Sequence, residues 1–417
     1  MKNSRLMTIF LIVFIDLLGF SLILPLLPYY AETYGATPTI VGLLVASYAA
    51  GQLIGAPLFG RLSDRIGRRP VLILSVIGTG IGFLLLGFAE PIGNLLAGIF
   101  APQAANAFII GVLFFSRILD GLTGGNITVA QAYITDITDD QNRAKGLGMI
   151  GAAFGLGFII GPAVGGALSQ WGYSLPAFVA ASVSFINVLM IIFLLPESLP
   201  PERRSSASGQ SRPPFNINAL RQALNRPKVG PLLQVRFFFA LAFAIFQTIF
   251  ALYAQSIGLS SQTTGFLLAY VGILSVVTQA GLIGILTRRF SENTLMISGL
   301  WIMAGALLAW AFATQLWFLV VLILPMAVAG GISNTIIQSS TTKSVTRQEV
   351  GGILGITASI EAMTRVIAPI AGGYLLQNLG LWAPGIFSAI LMAWTIILVY
   401  RRIIRPARSE KLAEEAV

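Results

Sequence analysis

TIVGLLVASYAAGQLIGAPLF (residues 39–59), GRLSDRIGRRP (60–70) and VLILSVIGTGIGFLLLGF (71–88) follow one another without a gap, and their joint reading decides the fold. Two apolar runs flank a short loop that carries Arg61, Asp64, Arg65, Arg68 and Arg69. A bilayer core of about 30 Å takes about 20 apolar residues per helix. The stretch therefore reads as two membrane crossings joined by a basic turn. The rest of the chain agrees: its 417 residues are 56% hydrophobic and only 10% charged, where soluble domains carry about a quarter charged residues. No water-soluble interior hides so much apolar surface, so lipid is the solvent for most of it. Cys and His are both absent, which excludes disulfide frameworks, thiol catalysis, most zinc and haem sites and imidazole triads. We expect no enzyme, no metal and no cofactor.

Apolar runs between polar breaks give twelve spans, near 6–29, 39–60, 70–89, 108–134, 146–168, 174–195, 232–255, 262–286, 294–313, 316–339, 350–376 and 381–400. The first is too long for a signal-peptide core, lacks an A-x-A site and contains Asp16, so it is kept as a helix. Of the 26 basic residues, 23 fall at the termini or in loops on one side. These include Arg143, Lys145, Arg288, Arg289, Lys343, Arg347, six residues of the central loop and five of the tail. The opposite loops hold only Glu32 and Glu90; Arg117, Arg236 and Arg365 lie within spans. That bias places both termini in the cytoplasm. The net charge of +10 then reports topology and anionic lipid, not nucleic acid.

Residues 196–231, rich in Pro, Ser and Arg, are the one long hydrophilic stretch, with a short amphipathic helix expected near Asn218–Leu224. This gives an N-terminal bundle (1–195), a linker (196–231), a C-terminal bundle (232–400) and a tail (401–417). The halves repeat. IIGPAVGG (159–166) returns as VIAPIAGG (366–373) at an offset of 207, and VGLLVASY (41–48) as TGFLLAYV (264–271) at 223. The difference of 16 belongs to extra sequence in the first half, most simply the long connection from Glu90 to Ala107. Repeated halves around a central site are a design of secondary transporters.

GRLSDRIGRRP resembles the signature loop of the major facilitator superfamily, G-x-L-x-D-R-x-G-R-R. Gly60 and Gly67 would allow close packing and a tight turn, and Asp64 can face a helix N-terminus. The resemblance implies a gating loop made of Gly60, Asp64, Arg65, Gly67, Arg68 and Arg69. Asp136, at the end of span 4, would pair with one of its arginines. The second half has only GILTRRFS (284–291), with Arg288 where the Asp should stand. RILDGLTGG (117–125) resembles the family's R-x-x-x-G-x-x-G motif, and GLGFIIGPAVGG (155–166) resembles the drug:proton antiporter motif G-x-x-x-G-P-x-x-G-G. Gly157, Gly161, Pro162, Gly165 and Gly166 would form a tight helix-5 hinge.

Asp16, in FIDLLGFSLILPLLPYY (14–30), makes span 1 similar to that of the tetracycline and multidrug antiporters. An unpaired charge in mid-membrane is costly. Arg117 should therefore have a partner, Asp120 or Asp16, and the resemblance assigns proton coupling to these three residues. Glu361 and Arg365, spaced i, i+4, can pair and form the alternative proton or substrate site. Phe239, Phe243, Phe246, Phe250 and Tyr253 make one stripe on span 7, which either packs or lines a cavity. Phe243, Phe246, Gln247, Phe250, Gln52, Asn126 and Gln338 are the candidate cavity residues. Three features of the tetracycline pumps are missing: the helix-3 acid, where Gly82 stands, the helix-8 His and an acid in helix 9.

The expected architecture is an all-α membrane protein, with twelve transmembrane helices in two pseudo-symmetric six-helix bundles of the major facilitator fold. The resemblance implies alternating access about a midplane cavity and export of a small, partly apolar compound against inward proton flow. A proton-coupled importer of a sugar or other metabolite is the alternative. The expected partners are a small-molecule substrate, protons and the lipid bilayer. The chain is expected in the bacterial inner membrane, as a monomer.

Overall fold

The computed structural model describes residues 2–206, 217–346 and 349–406. The middle of the linker, the distal tail and Arg347 of the loop after span 10 lie outside the described residues. Among the described residues the secondary structure is helical throughout, and twelve stretches are long and apolar enough to cross a membrane. In order they are Arg5–Thr33, Pro38–Ile66, Arg68–Gly87, Pro102–Ile137, Lys145–Trp171, Ser174–Leu194, Val229–Ser256, Ser261–Arg289, Glu292–Trp310, Leu316–Lys343, Val350–Leu379 and Ala383–Ile404. We refer to them as spans 1 to 12. This is a multi-pass membrane protein with the twelve-helix architecture that the apolar runs predict.

The chain divides into two compact units. One holds the described part of Met1–Pro214 together with Gly258–Gly272; the other holds the described part of Phe215–Ile257 together with Ile273–Val417. The early turns of span 8 thus group with the first unit. In the first unit, span 1 packs on spans 5 and 6, and span 3 on spans 4 and 6. In the second, span 7 packs on spans 11 and 12, and span 9 on spans 10 and 12. The repeat seen in the sequence is therefore a repeat of packing partners.

Three departures from simple crossings matter for the site. Span 1 is interrupted between Lys2–Ile23 and Leu27–Thr33, where Pro25 removes a backbone donor and Pro28 starts the next turn. Span 4, read from the sequence as one helix, is two: Ala105–Thr123 and Asn126–Ile137. Gly124 and Gly125 make the break, and the Phe59 side chain occupies the space a Cβ on Gly125 would need. The extra sequence between spans 3 and 4 forms a helix, Ala89–Phe100, which packs on the first part of span 4 with Gly93 against Ile109.

The linker ends are ordered. Ile217–Leu224 is helical, and its Leu220, Ala223 and Leu224 pack with Val229, Leu233, Ile353 and Ile360. Arg226 then pairs with Glu349 at 2.8 Å, just before span 11.

Candidate functional site

Asp16 sits in the first helical piece of span 1 and is 6% exposed. Its Oδ2 accepts from the side-chain amide of Asn126, the first residue after the break in span 4. Its other oxygen, Oδ1, is buried without a hydrogen-bond partner. About two turns before the break, Arg117 donates through Nη1 to Asp120 Oδ2 at 3.2 Å. The Phe83 ring centroid lies 5.3 Å from the guanidinium carbon, a cation–π arrangement. Arg117 Nη2 is also buried and unpartnered. The two candidates for Arg117's partner are thereby resolved: Asp120 takes it, and Asp16 turns to Asn126.

The missing helix-3 acid has a physical explanation. A Cβ on Gly82 would lie 3.0 Å from Asp120 Cβ and 3.2 Å from the Ser116 carbonyl oxygen. Asp120 occupies that level of the bundle from span 4, so any side chain at position 82 is crowded from its Cβ outward. Gln52, a turn below Tyr48 on span 2, donates to the Tyr48 hydroxyl at 3.1 Å. Span 2 meets span 4 closely because Gly51, Gly55 and Gly121 carry no Cβ.

At the far end of the first unit, Arg68 is the hub of the loop between spans 2 and 3. Its Nε donates to Asp136 Oδ2 at 3.0 Å, and Nη1 donates to Ser63 Oγ at 2.7 Å and to Asp64. Arg69 donates to the carbonyls of Ile191 and Ile192, at the end of span 6, whereas Arg65 is exposed. Gly67 takes φ +107°, a conformation L side chains avoid, and a Cβ there would strike the Glu197 carboxylate. Gly60 has no such need, with Thr128 Cγ2 at 3.4 Å from its Cβ position. The tight turn rests on Gly67 alone.

Glu197 went unnoticed in the sequence. Its Oε1 accepts the backbone N–H groups of Arg68, Ser198 and Leu199, and Oε2 accepts that of Arg69. It caps the N-terminus of span 3, where carboxylates are favoured. The adjoining Ser198 hydroxyl donates to Asp136 Oδ2 at 3.0 Å. The available signal was an acid directly after span 6, in the stretch PES.

Span 5 uses its small residues on two faces. Gly157, Gly161 and Gly165 seat Leu17, Ser21 and Leu22 of span 1, and Ser21 Oγ donates to the Gly157 carbonyl at 2.7 Å. Pro162 and Gly166 instead meet Gly265, Ser261 and Gln262 of early span 8. Those contacts, with the hydrogen bonds of Tyr29 to Leu259 and Thr264 and of Ser169 to Ser261, join residues 258–272 to the first unit.

In the second unit, two expectations are corrected. Glu361 does not depend on Arg365 one turn away, which is exposed. Its Oε1 accepts from Nε and Nη2 of Arg236, whose Nη1 donates to Asn334 Oδ1. Arg236 is 5% exposed, so it is the cation that requires the carboxylate. The aromatic stripe is largely interior. Phe246 packs edge-on against Trp310 at 5.1 Å and Phe250 against Phe246 at 5.3 Å, while Tyr253 donates to the Trp310 carbonyl at 3.0 Å. Phe246 and Phe250 are fillers of this unit; Phe243 is half-buried, and Gln247 and Gln338 are exposed.

A third correction concerns span 9, which does contain an acid. Glu292 opens the helix and accepts from Lys343 Nζ at 2.7 Å. Among the described residues no group of three acidic, His or Cys side chains could hold a metal.

Comparison with known proteins decides the family. The family model described as Major Facilitator Superfamily matches residues 9–297 and 235–417. The chain belongs to the Major Facilitator Superfamily. It is 31% identical over 373 residues to the class C tetracycline resistance protein of Escherichia coli, covering 88% of this chain and 89% of that one. It is 30% identical to the class B protein of Escherichia coli, covering 95% of each. Multidrug resistance protein 2 of Bacillus subtilis (strain 168) is 27% identical, with 92% of each covered. Among solved structures, the human organic anion transporter MFSD10 (TETRAN) superposes with a TM-score of 0.65 at 22% identity, over 95% of this chain and 99% of that one. An inward-facing, occupied bacterial homologue of the lysosomal transporter Spinster gives 0.72 at 15%, over 97% and 98%. The two structures speak for the fold; the sequence relatives make this chain a transporter of the superfamily, similar to drug-resistance proteins.

Proposed function

We propose that this transporter exports a small, partly apolar, drug-like compound in exchange for protons by alternating access, from a bacterial inner membrane with both termini cytoplasmic. The observation that carries the reading is the state of Asp16. A carboxylate removed from water is costly unless paired, and it readily exists in neutral form. Asp16 has one oxygen held by a neutral amide and one held by nothing, while the adjacent cation is committed to Asp120. Such a group can gain and lose a proton without breaking an ion pair. Arg117 and Asp120 fix the field around it, and the gap in span 4 places Asn126 on the same carboxylate.

In this reading the charged cluster around Arg68, with Asp64 and Asp136, gates the first unit, and span 5 is its hinge through Gly157, Gly161, Pro162, Gly165 and Gly166. Gln52, Phe243, Gln247 and Gln338 remain substrate-facing candidates, while Arg236, Glu361 and Asn334 form a second polar centre. The driving force suffices, since one charge moved through 100 mV yields about 2.3 kcal/mol before any pH gradient. The resistance relatives support a drug-like substrate and leave tetracycline itself to be tested.

The test is proton movement in inside-out vesicles with a pH-sensitive dye and a drug panel that includes tetracycline, comparing the unaltered protein with Asp16→Asn. Drug-triggered proton release lost in the variant supports the reading. Equal release from both would move the proton site to Glu361. Substrate-driven proton flow in the reverse sense would make the protein an importer.

A further inference from the structure

The two halves carry the same three-point charge pattern with every sign reversed. An offset of 224 residues, one more than at the start of the same span because the π-helical turn Thr278–Leu282 intervenes, carries Gly60 to Gly284, Asp64 to Arg288 and Arg68 to Glu292. The offset of 207 that relates Pro162 to Pro369 carries Asp136 to Lys343. Acid, base, acid in the first half thus becomes base, acid, base in the second. The structure joins the corresponding members. Arg68 of loop 2–3 bonds Asp136 at the end of span 4 at 3.0 Å; Glu292, after loop 8–9, bonds Lys343 at the end of span 10 at 2.7 Å. Hydroxyls complete both carboxylates: Ser198 on Asp136, and Ser339 at 2.9 Å with Ser340 at 3.5 Å on Glu292.

The reversal is coherent as electrostatics. With Arg288 standing where Asp64 stands, a cation at position 292 would put a like charge four residues on, across the turn between Arg289 and Glu292, and a carboxylate puts an opposite one there. Once position 292 is acidic, only a base at 343 can close the contact. The sequence comparison alone sees a decayed signature in GILTRRFS; the coordinates show the contact kept and its polarity exchanged.

We infer that Glu292 is a positioning residue, the second unit's counterpart of Arg68, which ties loop 8–9 to the end of span 10 through Lys343. The inference rests on the transport reading only for its effect on turnover. An isolated exposed ion pair contributes little to stability, and Lys343 is 68% exposed. An idle surface pair would therefore give silent variants, and that is the alternative to be tested.

The chain has no Cys, so one introduced thiol reports cleanly. Phe290→Cys, in the loop and 51% exposed, would be labelled with a maleimide in the purified full-length protein. It would be combined with Glu292→Lys, with Lys343→Glu and with both. Each single change should speed labelling at least fivefold, and the charge-exchanged double should restore it. Ethidium efflux from intact cells should fall in Vmax with little change in KM for the singles, and recover in the double. Unchanged labelling in the singles, or a double no better than either, would overturn the clasp. Labelling that behaves as expected, with no ethidium or tetracycline transport even by the unaltered chain, would keep the clasp and overturn the efflux reading instead.

Discussion

Asn126 holds Asp16 across a broken helix: the amide that opens the second piece of span 4 donates to a carboxylate in mid-span 1. The bond joins a local irregularity of one helix to the one buried acid in the cluster that has no cation on it. Asn126→Ala would leave both oxygens of Asp16 unpartnered. A buried hydrogen bond to an ionisable group is worth about 1.5–3 kcal/mol, and we expect that loss in denaturant unfolding together with impaired proton-driven efflux. Asn126→Asp should do worse in transport, because it sets two carboxylates face to face. Wild-type stability and efflux in Asn126→Ala would remove the bond from the mechanism.

Glycines along span 5 should separate sharply under alanine substitution. A Cβ on Gly165 would run into the Leu22 backbone, whereas none is crowded at Gly148 or Gly151 of the same helix. Overpacking costs about 1–3 kcal/mol, so Gly165→Ala should lower the melting temperature in detergent. Gly148→Ala should hold or raise it, since alanine exceeds glycine in helix propensity by about 1 kcal/mol.

Arg68→Lys should behave as a severe change. The guanidinium serves Asp136 from Nε and both Ser63 and Asp64 from Nη1, and a single ammonium cannot reproduce that fork. Glu197→Ala should cost about 0.5–2 kcal/mol, the usual range for losing a helix cap, and should release Ser198 from Asp136. Thermal unfolding of both variants, with transport measured alongside, checks this.

The interior place of Phe246 gives a further contrast. Phe246→Ala should destabilise by about 3–5 kcal/mol, as expected for emptying a packed aromatic site. Gln247→Ala, on the exposed side of span 7, should leave the unfolding midpoint unchanged and alter only the apparent KM for the exported drug. The reverse pattern would return Phe246 to the cavity.

Outside the membrane, the Arg226–Glu349 pair has a definite pH sense. The Thr346 backbone N–H, followed by the Arg226 guanidinium, holds the Glu349 carboxyl below the ordinary glutamate value of 4.5. A lowered folded value means that the tie is fully present at neutral pH and down through the ordinary range. It is lost only as pH falls through the lowered value. The carboxyl carbon shift of Glu349, followed by NMR from pH 7 to 3, should titrate below an exposed glutamate and move only part of the way back in Arg226→Ala, because the Thr346 N–H remains.

Much of the architecture was legible because lipid imposes a one-dimensional code: length and apolarity alone give twelve spans. The motif loop was equally plain. What sequence spacing missed were partners supplied by another helix. Glu361 has an arginine at i+4, but the buried Arg236 has the stronger need for a counter-charge and takes it. The phenylalanine stripe is a true periodicity, yet a period names a face and not what covers it; Trp310 on span 9 does. Glu292 escaped notice because the span was drawn from residue 294, two positions late. The gap in span 4 stayed hidden because a glycine pair in a membrane helix also serves close packing.

The anchoring of Pro196–Leu199 bears on how this protein can be handled. Tyr133 donates to the Pro196 carbonyl at 2.8 Å, and Glu197 and Ser198 are bonded into the first unit, while Ile217–Leu224 is packed into the second. A rigid fusion partner for imaging, spliced in after Ser206, would leave both sets of contacts whole. The same partner inserted between Pro196 and Ser198 would uncap span 3 and dismantle the Arg68 cluster. The hydrophilic stretch looks uniform as text, but its two ends are built into the units they adjoin.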